Sequence, residues 1–249
     1  MYLSWIIPAY NEKNRIEKTI REVDVYLKSR RFDGGYEIIV VDSASPDHTA
    51  PIVRALTRRM PHLRLIEVKN RGKGWAVKQG MASARGEVAA FSDADNSVSP
   101  DQAGKFLDAV CDSSQKSGCA DVVIGSIEIP GASIEEHSQQ YRRMLGKLAK
   151  YVIRLVSGLW EIRDSQRGFK FFSRRAADVI FPKQTLARWG FDFEILLIAK
   201  RNGFGIRELP VRWVNPADSK VRLGAYVSTL IELLRVKWND TKGRYANHR

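Results

Sequence analysis

Glu87-Val-Ala-Ala-Phe-Ser-Asp-Ala-Asp-Asn96 is an apolar run that ends in two aspartates one residue apart. Val88 to Phe91 reads as a short buried strand. In an open α/β sheet, ligands gather just beyond the carboxyl ends of the strands, and Asp93 and Asp95 fall at that point. Residues i and i+2 of an extended segment point to one side, so both carboxylates can face one hard cation such as Mg2+ or Mn2+. Such a cation commonly holds a diphosphate. Taken alone, Asp-x-Asp is more often a turn or a helix cap, so the neighbouring segments decide.

Three β-loop-α units precede it. Leu3 to Glu12 opens as a strand broken at Pro8, and the helix expected over Glu12 to Arg31 carries Ile16, Ile20, Val23 and Leu27 at helical spacing. Tyr36 to Asp42 is a second strand ending in an acid; after the loop Ser43 to Thr49, Thr49 is expected to cap a helix with Pro51 in its first turn. Leu63 to Val68 is a third strand, and Asn70-Arg-Gly-Lys-Gly74 leads from it into a helix ending near Arg85. This alternation predicts an α/β fold with a mostly parallel central sheet, right-handed crossovers and helices on both faces. The loops at the carboxyl ends share one edge, where Tyr10, Asp42, Lys73 and the Asp93/Asp95 pair should converge. Asp42 is suited to accept from a base or ribose, and Lys73 between two glycines to reach a phosphate. Gly72-Lys-Gly74 is not a Walker motif, and a plain helix-entry turn is an equal reading of it.

With 249 residues and 44% hydrophobic content, the chain suits one large α/β domain with a tail. A net charge of +13 attracts nucleic acid, an acidic membrane surface or phosphorylated substrates. The first is disfavoured, because no recognition motif is present and aromatic residues do not alternate with the basic clusters. Cys111 and Cys119 match no zinc or redox spacing and are expected as free thiols in a reducing compartment. No run of 18 apolar residues exists, and Met1 leads into a strand. The expectation is a cytoplasmic protein, peripheral on the inner face of a membrane, without a transmembrane segment.

Pro8-Ala-Tyr-Asn-Glu12, Val41-Asp-Ser-Ala-Ser-Pro-Asp-His-Thr49, Asn70-Arg-Gly-Lys-Gly74 and Asp93-Ala-Asp95 resemble, in order, the signatures of family 2 glycosyltransferases. Asp164-Ser-Gln-Arg-Gly-Phe-Lys-Phe-Phe172, Arg188-Trp-Gly-Phe-Asp-Phe-Glu194 and Glu208-Leu-Pro-Val-Arg-Trp213 resemble the polyprenyl-phosphate branch, dolichyl-phosphate glucose synthases above all. The resemblance implies a GT-A fold, a three-layer αβα arrangement, and inverting transfer of a hexose from a nucleotide diphosphate. It places Pro8, Tyr10, Glu12 and Asp42 around the nucleotide, with Asp93 and Asp95 around metal (Mg2+ or Mn2+) and diphosphate. UDP-glucose is the donor it favours, with GDP-mannose second, and polyprenyl phosphate at a membrane surface is the acceptor.

Departures from the family pattern are local. Ser43 and Ala44 stand where a second acid and a glycine are usual, and Ile127 where an arginine is usual. Ser97 stands where mannosyl-type enzymes commonly carry glutamine, which favours a glucosyl-like reading. Residues 138–160 form an amphipathic helical pattern whose Arg143, Lys147, Lys150 and Arg154 line one stripe; it reads either as a core-packed helix or as one near anionic head groups. Asp192 and Glu194 open a helix, where an acid either caps or, by resemblance to hydroxyl-acceptor enzymes, acts as base. A phosphate acceptor is already a dianion near pH 7 and needs cations instead; Arg142, Arg143, Lys170 and Lys220 are candidates. Asp192 would then orient sugar or acceptor. Domain boundaries are expected as 1–215 for the catalytic domain and 216–249 for a basic amphipathic C-terminal helix and tail. A saccharide or protein hydroxyl acceptor and an inactive membrane-associated scaffold are the alternatives left open.

Overall fold

The computed structural model describes residues 1–114, 117–135, 151–214 and 223–246. Strands β1 (Leu3–Ala9), β2 (Tyr36–Ser43), β3 (Leu63–Val68), β4 (Val88–Ser92), β5 (Val122–Ser126), β6 (Ser133–Glu135), β7 (Phe169–Ser173), β8 (Ile206–Pro210) and β9 (Arg212–Val214) form two sheets. The large sheet has the order β3-β2-β1-β4-β7-β5-β8, and β6 pairs with β9 in a small second sheet. Every pairing in the large sheet is parallel except those of β7, which runs antiparallel to both β4 and β5.

The central strands are apolar on both faces because both faces are covered. In β1, Ile6 joins one core cluster while Trp5 and Ile7 join the other. The second cluster is closed by α1 (Ile16–Ser29), α2 (Thr49–Thr57) and α4 (Ala103–Ala109). The first is closed by α3 (Lys73–Ser83), α5 (described over residues 151–157), α6 (Arg174–Lys183), α7 (Phe191–Arg201) and α8 (Leu223–Thr241). The expected apolar stripe of α1, Ile16, Ile20, Val23 and Leu27, is wholly buried. The result is the expected three-layer αβα sandwich.

Three local expectations are corrected. Pro8 does not break β1: it pairs in register with Val41, and the ladder to β4 has already ended at Ile6–Phe91, so no bond is asked of its missing N–H on that side. Thr49 is the first residue of α2 rather than its cap; Asp47 Oδ1 accepts from both the Thr49 amide (2.9 Å) and hydroxyl (2.5 Å). Cys111 and Cys119 are joined in a disulfide, not free. A bridge between Val110 and Ala120 brings the two cysteines alongside one another, with Cα atoms 5.0 Å apart. The disulfide removes the ground for expecting a reducing compartment.

The C-terminal helix α8 buries Leu233 and Val236 in the first cluster, as does Tyr245 just beyond it. Its outer side exposes Leu230, Ile231, Leu234 and Trp238. Arg142, Arg143, Lys147, Lys150 and Lys220 lie outside the described residues. No helix among the described residues is long and apolar enough to cross a membrane.

Candidate active site

β1, β2 and β4 each run out into a turn with a left-handed residue: Asn11 (φ 56°), Ala44 (φ 56°) and Asn96 (φ 49°). Asparagine tolerates this region and alanine does so at a cost, so the backbone at this edge is held by its surroundings. The first two turns are laced together. The Asn11 amide donates to Ser45 Oγ (2.9 Å), that of Glu12 to Thr49 Oγ1 (2.8 Å), and that of Lys13 to Asp47 Oδ2 (3.2 Å). The Glu12 carboxylate pairs with Arg15, and the Arg71 guanidinium lies over the Tyr10 ring, 5.3 Å from its centroid. Asp42, at the end of β2, accepts from the Ser45 amide through Oδ2 (3.1 Å). Its buried Oδ1 has no partner among the described residues. A buried acceptor without a donor is costly, which leaves Asp42 ready to take a hydroxyl or N–H from a ligand.

The glycine loop is clamped from two sides. Ser43 Oγ donates to the Asn70 carbonyl (3.0 Å) and accepts from the Gly72 amide (3.0 Å). A Cβ on Gly72, whose φ is 141°, would meet the Ala187 carbonyl at 2.1 Å, and one on Gly74 would meet Phe191 Cβ at 2.7 Å. The loop therefore needs glycine at both positions, and it presses onto the segment that enters α7. Lys73 Nζ pairs with Asp93 Oδ1 at 2.5 Å and stands over the rings of Trp189 (5.6 Å) and Phe191 (5.9 Å).

Asp93 and Asp95 follow β4 as the sequence places them. Asp95 Oδ1 accepts from the Ser97 amide (3.0 Å) and hydroxyl (2.5 Å), so Ser97 orients the acid. The Asp93 amide donates to the Gly168 carbonyl (3.1 Å), and a Cβ on Gly168 would lie 2.2 Å from Asp93 Oδ2. Beside them a fully buried Lys170 on β7 pairs with Asp192 on α7 at 2.5 Å. Lys170 Nζ also donates to the Arg167 carbonyl (2.5 Å).

Three carboxylates thus share two ammonium groups. Burial pulls the Lys73 pKa down, yet Asp93, Asp192 and Asp95 outweigh it and hold the ammonium above its ordinary value. Burial pushes the Asp93 carboxyl up, with Asp95 and Asp192 adding to the effect and Lys73 opposing it. Three carboxylates against two ammonium groups leave a surplus of negative charge, and such a cluster draws in a cation. Among the described residues no group of three or more His, Cys, Asp or Glu side chains is arranged to hold a metal. Two hard carboxylates with the rest of the shell from phosphate and water is how Mg2+ is commonly bound, so the donor set fits such an ion.

Behind the site lie residues to which the sequence assigned no such part. Glu194, fully buried on α7, accepts from the Thr185 amide (3.0 Å), the Leu186 amide (2.8 Å) and the Tyr245 hydroxyl (2.7 Å). On α8, Glu232 accepts from the Gly190 amide (2.8 Å). These bonds fix residues 185–190, the wall against which Gly72 and Lys73 rest. Of the sequence-derived candidates, Asp42 lies at the carboxyl end of β2, Tyr10, Lys73, Asp93 and Asp95 follow the carboxyl ends of β1, β3 and β4, and Lys170 and Asp192 join the acidic pair. Pro8 lies within β1, and the Glu12 carboxylate pairs with Arg15. Gly168 and Asp164 lie in a quoted motif, but nothing local marks what they touch.

The architecture is that of a GT-A glycosyltransferase. The chain belongs to glycosyl transferase family 2, whose model matches residues 4–181. It is 33% identical over 240 residues to dolichyl-phosphate beta-glucosyltransferase ALG5D of Trichomonas vaginalis, covering 95% of this chain and 73% of that one. The human dolichyl-phosphate beta-glucosyltransferase is 33% identical over 230 residues, covering 88% and 69%. Among solved structures, a glucosyl-3-phosphoglycerate synthase from Mycobacterium tuberculosis in complex with Mn2+, UDP and phosphoglyceric acid superposes with a TM-score of 0.67. It shares 18% identity and covers 100% of this chain and 80% of that one. The same enzyme in complex with Mn2+, UDP-glucose and phosphoglyceric acid gives 0.64, with 18% identity and coverage of 95% and 79%. The chain is a glycosyltransferase.

Proposed function

We propose that this enzyme transfers glucose from UDP-glucose to a polyprenyl or dolichyl phosphate at a membrane surface, with inversion at the anomeric carbon. The observation that carries the reading is Asp192, which is buried and committed to Lys170. A hydroxyl acceptor needs a base, whereas a phosphate dianion brings its own nucleophilic oxygen. Support for a lipid phosphate comes also from the relatives, which are named for dolichyl phosphate and match most of the chain.

Asp42 and the Tyr10 turn would receive the nucleoside, and the Gly72–Gly74 loop with Lys73 its diphosphate. Mg2+ or Mn2+ held by Asp93 and Asp95 would neutralise charge on the departing diphosphate. The acceptor oxygen forms a bond to the glucose C1 as the bond from C1 to the β-phosphate oxygen breaks, and UDP leaves with the electron pair. Lys73, released from Asp93 as the ligands bind, stabilises that leaving group, and Asp192 holds Lys170 at the floor of the site. Residues 1–215 form the catalytic domain in this reading, and 216–249 form its basic helix and tail. Leu230, Ile231, Leu234 and Trp238, with Arg235, Lys237 and Lys242 exposed beside them, make an apolar strip edged with cations. That combination suits the head-group region of an anionic membrane.

The test is to incubate the protein with radiolabelled UDP-glucose, Mn2+ or Mg2+ and a short polyprenyl phosphate, then to partition the products between water and butanol. Label entering butanol only with both metal and acceptor is the expected result. Asp95→Ala should abolish it while thermal unfolding stays cooperative. Label confined to water despite UDP-glucose binding would overturn the acceptor assignment.

A further inference from the structure

Arg167 precedes Gly168 in the turn that leads into β7, next to the Asp93 carboxylate. Its guanidinium is fixed twice: Nε donates to Asp164 Oδ2 (2.9 Å), and Cζ lies 4.6 Å from the centroid of the Trp213 ring. Asp164 is itself immobilised. It is fully buried, its Oδ2 also accepts from the Ile127 amide (3.2 Å), and its amide donates to Glu208 Oε1 (2.8 Å). The Arg163 amide takes the other oxygen of Glu208 (2.8 Å), so this one acid grips two successive residues of the turn.

Neither terminal nitrogen of Arg167 makes a hydrogen bond among the described residues, and its side chain is 20% exposed. The two lysines nearby differ from it. Lys73 is engaged by Asp93, and Lys170 has no exposure and is engaged by Asp192 and the Arg167 carbonyl. A guanidinium held by Nε and stacked on an aromatic ring keeps the outer edge of its fork open, in the geometry that grips two oxygens of one phosphate. A salt bridge serving only to neutralise Asp164 would not require the stacking on Trp213.

We propose that Arg167, seated on Trp213, binds the phosphomonoester of the acceptor substrate. The proposal rests on the phosphate-acceptor reading above and names the residue that would hold that group beside Asp93. Through the shared carboxylate of Asp164 it also ties the acceptor phosphate to the backbone of Ile127.

The test is calorimetric titration of wild type, Arg167→Gln, Arg167→Lys and Trp213→Leu with three probes: a short isoprenyl monophosphate, inorganic phosphate, and UDP with Mn2+. Losing a bidentate charge-assisted contact should weaken isoprenyl monophosphate binding about 10- to 100-fold in Arg167→Gln, with Arg167→Lys between it and wild type. UDP affinity should stay within about twofold. Trp213→Leu keeps the ion pair and should weaken the monophosphate several-fold, so the test survives if the charge variants unfold. Parallel loss of inorganic phosphate binding means the head group alone is read; loss confined to the isoprenyl form means its chain contributes; each supports the site. No monophosphate binding by wild type, unchanged binding in Arg167→Gln, or an equal loss for UDP overturns it. The transfer assay separates the two claims. Arg167-dependent monophosphate binding without transfer would sink the proposed reaction and leave the site. Transfer with an unchanged acceptor KM in Arg167→Gln would sink the site and leave the reaction.

Discussion

Replacing Asp192 with asparagine removes one charge from a pair whose side chains are 0% and 3% exposed, and leaves the Lys170 ammonium in a dry interior. Asparagine keeps an acceptor oxygen where Asp192 Oδ1 takes the Lys170 ammonium at 2.5 Å, so the geometry is preserved and the electrostatics are not. Breaking a buried pair from one side costs about 3 to 5 kcal/mol. The lysine has one escape, which is to shed its proton. That costs about 1.4 kcal/mol per pH unit below an ordinary pKa of about 10.4, hence about 4.6 kcal/mol at pH 7 and about 2 kcal/mol at pH 9. Burial already holds the Lys170 pKa below its ordinary value, with Asp192 opposing. A lysine with a lowered folded pKa binds fewer protons folded than unfolded between the two values, so stability rises with pH across that window. The deficit of Asp192→Asn should therefore be about 3 to 5 kcal/mol at pH 7, a fall of roughly 6 to 20 °C in Tm for a domain of this size, and should shrink by pH 9. Adding Lys170→Met to Asp192→Leu should recover most of the loss, because an apolar pair has no charge to strand. Denaturant unfolding at both pH values measures all of this. A deficit under about 1 kcal/mol, or one that does not change with pH, would refute the reasoning.

Three further outcomes are expected. Gly72→Ala puts a Cβ 2.1 Å from the Ala187 carbonyl at a φ of 141°; it should cost about 2 to 4 kcal/mol and abolish UDP binding, read by thermal unfolding and titration. Tyr245→Phe removes the hydroxyl that donates to buried Glu194 and should cost about 1.5 to 3 kcal/mol, and a Tm within a degree of wild type would contradict that. Glu37 is buried; burial favours its neutral form, but Arg64 (2.6 Å), the Ser4 hydroxyl (2.7 Å) and the Arg85 amide (2.9 Å) outweigh that and lower its pKa. Its contribution is then present above the ordinary carboxylate range and is lost as pH falls through it. Between pH 5 and 3 wild type should lose more stability than Glu37→Gln, and parallel acid profiles would rule this out.

The gathering of Asp42, the Gly72–Gly74 loop and the Asp93/Asp95 pair along one sheet edge was legible because each of these parts is local. Strand, acid and loop follow one another in sequence at Asp42, at Gly72 to Gly74 and at Asp93 to Asp95, and parallel topology gathers them without further information. Residues whose function depends on distant partners were not legible. Nothing in Phe169-Lys-Phe-Phe-Ser173 states that the strand runs backwards or that its lysine meets Asp192. A free-thiol reading of Cys111 and Cys119 missed the bridge between Val110 and Ala120, which depends on how the chain returns to the sheet. Ser43 looked like a loss because an acid is usual there, but its hydroxyl holds Asn70 and Gly72. For the acids opening α7 the sequence offered a cap or a base, whereas the bonds of Glu194 reach back to residues 185 and 186 and forward to Tyr245.

The reversed strand β7 also bears on the order in which the enzyme comes into being. Residues 88–92 pair with 169–173, and 122–124 pair with 170–172, so β7 enters between two strands made long before it. Closing such loops is entropically costly, and non-local pairings form late. A nascent chain of about a hundred residues already contains β1 to β4 with the loops that follow them. It lacks the Gly168 carbonyl that fixes the Asp93 amide, and it lacks Lys170. On the proposed reaction, the surroundings of Asp93 are thus complete only once the sheet closes, and a half-made chain lacks the arrangement that would act on the activated sugar.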